Sequence, residues 1–170
     1  MMKKKLSVII LNWNGERLLR RFLPSVVDNT AGEDVEVIVA DNGSSDSSLM
    51  VLADEFPGVR VIAFDKNYGF AEGYNRAIEQ VDTEFVTLLN SDVETPPGWW
   101  LPILRFMEEH PEVGACQPKI MSCRDKTMFE YAGAAGGLLD RLGYPYCRGR
   151  LLDRIEKDLS LIHISEPTRP

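Results

Sequence analysis

Four short apolar runs rich in β-branched residues, Leu6–Leu11, Val35–Ala40, Val59–Phe64 and Phe85–Leu89, each stop at a polar turn and give way to helical periodicity. Runs of this length bounded by turn formers read as buried strands. After the first, apolar pairs at Leu18/Leu19, Phe22/Leu23 and Val26/Val27 mark one buried helical face. Asp46 to Phe56 reads as a second helix, stopped by Pro57-Gly58. Phe70, Ala71, Tyr74, Ala77, Ile78 and Val81 fall on one face of a third. Pro96-Pro97 suits the opening of a fourth, which runs through Trp100, Leu101, Leu104 and Met107 to His110-Pro111. Val113–Pro118 is expected to add a fifth strand. This alternation predicts a three-layer α/β/α fold around a mostly parallel, Rossmann-like sheet. In open sheets of this kind ligands bind beyond the carboxyl ends of the strands. The polar segments at Asn12, Asp41, Lys66 and Asn90 all stand there, so they are expected to line one pocket.

Composition narrows the ligand. The 170 residues carry 26 acidic and 19 basic side chains, a net charge of −7, with no basic stripe of the kind a nucleic-acid binder needs. An acidic chain still binds phosphates when a cation or backbone amides offset the repulsion. Cys116, Cys123 and Cys147 form no CxxC pair, so neither a disulfide framework nor a zinc site follows. His110 and His163 have no ligand-like neighbours and read as surface or capping residues. Lys3-Lys4-Lys5 before Leu6 lacks the long apolar stretch and cleavage site of a signal peptide. A cytoplasmic location is expected, and the three lysines admit a peripheral attachment at the inner face of a membrane.

Asn90-Ser91-Asp92 ends the fourth strand. Hard cations such as Mg²⁺ prefer carboxylate oxygen, often one or two carboxylates completed by phosphates and water. Asp92 suits that task, and Asn90, two residues back on the same face, suits orientation of a ribose or a metal-bound water. The same three residues are ordinary turn formers, and the company of the other loops favours the cation reading. Asp41 opens Asp41-Asn42-Gly43-Ser44-Ser45-Asp46. A carboxylate there accepts from the N3–H of uracil or thymine and finds no such proton on cytosine, while Ser44 or Ser45 caps the helix that follows. Lys66 is placed to meet a phosphate near a helix amino end, and Gly69 and Gly73 allow close backbone approach. The spacing is not the GxGxxG of dinucleotide enzymes. Trp13 and Tyr68 either belong to the core or stack on a base, with core the default reading for each.

Taken together, Ser7-Val8-Ile9-Ile10-Leu11-Asn12-Trp13-Asn14, Ala40-Asp41-Asn42-Gly43-Ser44, Asn67 through Asn75 and Leu89-Asn90-Ser91-Asp92 resemble family 2 glycosyltransferases of the GT-A fold, and within them the rhamnosyltransferase-like bacterial group. The likeness covers about Leu6 to Arg150. It implies a nucleotide-diphospho-sugar transferase. In it Leu11, Asn12 and Asn14 line the nucleoside pocket, Asp41 reads the base, and Lys66, Asn67 and Asn75 belong to the donor-contacting segment. Asn90, Ser91 and Asp92 take the place of the metal-binding DxD motif, with its first Asp replaced by Asn. Asp92 is then the main ligand of a divalent Mg²⁺ or Mn²⁺.

The implied reaction is inverting transfer from a nucleoside diphosphate sugar, uracil or thymine favoured, to the hydroxyl of a glycan or lipid-linked acceptor in cell-surface polysaccharide synthesis. The family's acidic base motif has no match here; Glu130 and Asp140 read as structural, and no catalytic residue is assigned. A fragment of this kind is expected to bind donor with little transfer. Two rivals are a non-catalytic nucleotide-sugar-binding module and a nucleotidyltransferase, the latter lacking its glycine-rich basic loop after the first strand. Residues 1–158 are expected to form the binding domain, incomplete at its carboxyl end. The segment 159–170, including Leu161-Ile162-His163-Ile164, resembles translated sequencing-adapter DNA and stands outside the fold reasoning.

Overall fold

The computed structural model describes residues 3–130, 137–139, 141–147, 150–151 and 154–155, and divides the chain into two compact units, Met1–His110 and Pro111–Pro170. The first holds β1 (Leu6–Asn12), α1 (Glu16–Asn29), β2 (Val35–Asp41), α2 (Ser48–Glu55), β3 (Arg60–Ala63), α3 (Phe70–Ile78), β4 (Phe85–Leu89) and α4 (Trp100–Glu109). Its four strands form one sheet in the order β3-β2-β1-β4, and every pairing is parallel.

Strand alternation sorts the core into two layers. Leu6, Val8 and Ile10 of β1 join Val35 and Val39 of β2 against Leu19, Leu23 and Val26 of α1, Leu52 of α2, and Trp100 and Leu104 of α4. Ile9 of β1, Ile38 and Ala40 of β2 and Ile62 of β3 face the other way, onto Tyr74 and Ala77 of α3. Side chains at successive strand positions point to opposite faces, and strands buried on both faces have no polar side to alternate with. This is why the four runs are continuously apolar, and it gives the three layers expected from the sequence.

Val113–Pro118 is not a strand. These residues form no ladder and all but Val113 are exposed. Gly114 and Gln117 interrupt the apolar run, and a strand persists only where an edge pairs with it. The helix expected from Pro96-Pro97 begins later, at Trp100, after a turn. The second unit contains an isolated antiparallel bridge between Met121 and Phe129 and two short antiparallel pairs. These are β5 (Gly137–Leu139) with β6 (Pro145–Cys147), and β7 (Arg150–Leu151) with β8 (Arg154–Ile155). Asp140, most of the small-residue stretch 132–137 and the segment 159–170 lie outside the described residues.

Lys3 and Lys5 at the amino end of β1 form ion pairs with Asp82 and Glu108, and Lys4 donates to the Gly32 carbonyl. Their charges are engaged at the end of the sheet opposite the polar turns. No helix among the described residues is long and apolar enough to cross a membrane.

Leu23 is buried in the α1 layer. Leu23→Ala is expected to lower unfolding stability by about 2–5 kcal/mol, the usual cost of a buried leucine truncated to a cavity, read from the urea midpoint at constant slope.

Candidate functional site

The carboxyl ends of β1, β2 and β4 and the start of α3 enclose a cavity of about 400 Å³. Its walls are Leu11 from β1, Trp13 and Leu18 beyond it, Asn42 after β2, Asn67, Gly69, Phe70 and Tyr74 around the start of α3, and Asn90-Ser91-Asp92 after β4. All four polar turns thus reach the cavity, through Trp13, Asn42, Asn67 and Asn90-Ser91-Asp92, and Leu11, Asn67, Asn90, Ser91 and Asp92 are brought together.

Asp41 is not among them. It is fully buried, one oxygen accepting from Asn12 Nδ2 at 2.9 Å and the other from the Ser44 amide at 2.9 Å. Asp41, expected to read the base, thus stands outside the walls of this cavity, and register gives the reason. Asn12 and Asp41 are paired neighbours, one step beyond the Leu11–Ala40 pair. Alternation sends both side chains to the α1–α2 side of the sheet, while Leu11 and Asn42 point to the α3 side, where the cavity lies.

Asn12 and Asn14 are likewise joints rather than cavity walls. Asn12 Nδ2 also reaches Ser44 Oγ at 3.2 Å, and the Asn14 amide donates to the same hydroxyl at 2.9 Å. Asn14 Oδ1 accepts from the Ser45 amide at 2.8 Å, with Asn14 itself at φ 50°, a left-handed conformation asparagine tolerates. Lys66 and Asn75 are exposed and do not line the cavity; Lys66 Nζ sits 5.1 Å from the Tyr68 ring centre.

Sequence reasoning named Gly69 for close backbone approach and weighed Trp13 as a stacking ring, but missed Asn42, Leu18, Phe70 and Tyr74. Trp13, read as core, is 57% exposed at the cavity. Its signal was its place in a polar loop rather than in an apolar run. Tyr74 donates its hydroxyl to the Leu89 carbonyl at 3.0 Å, tying α3 to the end of β4, and burial raises its pKa above the ordinary tyrosine value. Tyr68, also read as core, is half-buried outside the cavity. Its ring lies under Arg76 at 3.9 Å and its hydroxyl donates to Asp65 at 2.7 Å.

The Asp92 turn is anchored from downstream. Thr95 is buried, its hydroxyl donating to the Ser25 carbonyl at 3.1 Å and its own carbonyl accepting from Asn29 Nδ2 at 2.6 Å. Trp99 Nε1 donates to Thr30 Oγ1 at 3.0 Å. The chain leaving Asp92 is thus fastened to the end of α1. Among the described residues Asp92 is the one carboxylate lining the cavity. Among the described residues no three His, Cys, Asp or Glu side chains gather as a self-sufficient metal cage. One carboxylate beside Asn90 and Ser91 fits a hard cation whose other ligands are phosphate oxygens and water, the usual manner for Mg²⁺.

A family model for glycosyl transferase family 2 matches residues 7–157. The chain belongs to that family. Among relatives of this family 2 chain is the N-acetylglucosaminyl-diphospho-decaprenol L-rhamnosyltransferase of Mycobacterium tuberculosis, 29% identical over 126 residues, which are 68% of this chain and 41% of that protein. The chain spans less than half the length of the curated relatives it matches. Two solved structures share the fold. S. aureus TarS 1-349 in complex with UDP-GlcNAc has a TM-score of 0.56 at 23% identity, over 69% of this chain and 38% of that one. The mannosyltransferase PcManGT from Pyrobaculum calidifontis, in complex with GDP-Man and Mn²⁺, has a TM-score of 0.52 at 18% identity, over 71% and 35%. The architecture is the GT-A fold of glycosyltransferases.

Two outcomes follow from the site geometry. Asp41→Asn sets an amide nitrogen against one of two donors, so it is expected to cost about 1–3 kcal/mol of stability while leaving the ratio of UDP to GDP affinity unchanged; an altered ratio in calorimetry would restore Asp41 as the base reader. The hydrogen bond from Tyr68 lowers the Asp65 carboxyl below its ordinary 3.8, and the same bond raises the Tyr68 hydroxyl above 10.0. Its stabilising effect is therefore complete between those two ordinary values. It fades as pH falls through Asp65's lowered pKa or rises through Tyr68's raised one. In Tyr68→Phe the Asp65 carboxyl carbon should titrate at higher pH by NMR, and an unmoved titration contradicts the bond.

Proposed function

We propose that this chain forms the donor-binding half of an inverting glycosyltransferase. It takes a nucleoside diphosphate sugar into the cavity at the strand ends and delivers the sugar to an acceptor hydroxyl in cell-surface polysaccharide synthesis. The observation that carries the reading is that Asn90, Ser91 and Asp92 share one cavity with Asn42, Asn67 and Gly69, in a family 2 chain. Asp92 holds a divalent cation, Mg²⁺ or Mn²⁺, and Asn90 and Ser91 orient its water or the donor ribose. When bound, the cation supplies the positive charge that a departing diphosphate needs. The mannosyltransferase solved with GDP-Man and Mn²⁺ supports the metal, and TarS solved with UDP-GlcNAc supports the donor class.

The remaining walls divide the work by chemistry. Trp13 offers a flat, exposed ring for stacking on a base or sugar, and Leu11 and Leu18 supply apolar surface beside it. Asn67 and the backbone at Gly69 offer hydrogen bonds. The lean towards uracil or thymine rests on Asp41, whose carboxylate accepts from Asn12 and from the Ser44 amide, and the relative affinities for UDP, dTDP and GDP test it. The name of the mycobacterial relative supports a lipid-linked acceptor.

Calorimetric titration with UDP, dTDP and GDP, each with and without Mn²⁺, tests this. At least one diphosphate should bind, more tightly with Mn²⁺, and Asp92→Asn should remove the metal-dependent gain. Failure of every diphosphate to bind in a metal-dependent way would sink the enzyme reading.

A further inference from the structure

The turn that brings Asn67 and Gly69 to the cavity is gripped by a single carboxamide from a neighbouring strand end. Asn42 follows β2 directly and is 2% exposed. Its Nδ2 donates to Asn67 Oδ1 and to the Gly69 carbonyl, both at 3.0 Å, and its Oδ1 accepts from the Tyr68 amide at 2.9 Å. Asn67 Oδ1 also accepts from the Gly69 amide at 2.7 Å, so two asparagines close a ring around the turn. Gly69 immediately precedes α3, and whatever fixes it fixes where that helix begins.

Two glycines make the grip possible. Gly43 has φ 72°, and a Cβ there would stand 2.5 Å from the backbone Cα and carbonyl carbon of Lys66. The two turns are thus in direct backbone contact, which only glycine permits at that position. A Cβ on Gly73 would come within 3.1 Å of Asn42 Nδ2 and 3.0 Å of Leu11 Cδ1. The missing side chain lets α3 lie close over the carboxamide.

We propose that Asn42 is the positioning residue of the donor cavity, setting nucleotide affinity by holding the 67–69 turn against the cavity, and that this chain requires a carboxamide there. Three bonds are made at once, two donated and one accepted. Aspartate offers acceptors only and would set an oxygen against two other oxygens; serine and threonine supply one donor. Leaving those acceptors unmatched in a buried place releases the turn. The inference rests on the donor-binding reading, and Asn42 acts through Asn67 and Gly69.

Asn42→Asp tests it, because size and the acceptor for Tyr68 are kept while both donors are lost. The dissociation constant for the nucleoside diphosphate that the parent protein binds best should rise roughly tenfold or more. Hydrogen exchange at the Gly69 amide should speed up. Ser7→Ala serves as the comparator: Ser7 is buried at the amino end of β1, donating to Glu36 at 2.7 Å, so its loss should lower the melting temperature without changing nucleotide affinity. Gly43→Ala, which pushes the turns apart while leaving Asn42 in place, should weaken binding in the same direction and replaces Asn42→Asp if that variant does not fold. Unchanged affinity in a folded Asn42→Asp or Gly43→Ala overturns the proposal, as does a loss no larger than that of Ser7→Ala. Parent protein that binds no nucleoside diphosphate refutes the donor-binding reading itself, and that result is in hand before any variant is compared.

Discussion

Because β1 pairs in parallel with β2 on one side and β4 on the other, their carboxyl ends stand side by side and the turns leaving them open onto the same edge. Leu6 to Ile10 are buried throughout, so the strand that organises the site is also the centre of both apolar layers. A one-residue slip in that register would exchange the two faces. A slip of β1 would drive Asn12 towards the cavity and withdraw Leu11 from it, and a slip of β2 would do the same to Asp41 and Asn42. Core packing and cavity chemistry are therefore fixed by the same hydrogen-bond ladder.

Around the cavity, position is held mostly by uncharged amides. Asn12 and Asn14 bind the β1 turn to the β2 turn through Ser44 and Ser45. Asn42 and Asn67 bind the β2 turn to the β3–α3 turn. A carboxamide donates and accepts together, so it can bridge two backbone segments in a buried place without the desolvation penalty of a charge. In a chain of net charge −7 this spares the cavity further negative potential. Among the described residues one carboxylate, Asp92, stands at its wall, the charge a cation would meet.

The order of strands and helices, the three layers and the gathering of the turns after β2, β3 and β4 were legible in the sequence. Each rests on local periodicity and on the geometric rule that parallel strands end together. The roles of Asp41 and Asn42 were not. Adjacent residues in an extended segment point to opposite faces, and both faces of this sheet are apolar, so the pattern of Val35 to Ala40 carries no mark of which side holds the ligand. Trp13 and Tyr74 were hidden for a related reason. Composition reports that an aromatic ring is apolar, while only its neighbours decide whether it fills the core, as Tyr74 does in part, or stands open at a cavity mouth.

By itself the sequence carried, in four motifs spread along it, the resemblance to family 2, and it determined the α/β architecture and the placing of Asn90-Ser91-Asp92 at a strand's carboxyl end, because these two depend on spacing within a short stretch of chain. The tertiary structure alone decided that Asp41 supports the loops from beneath and that Asn42 carries the turn beside the cavity. Those assignments depend on which residues of separate strands meet across the sheet. That is set by register and by hydrogen-bond partners some thirty positions apart, which no local pattern encodes.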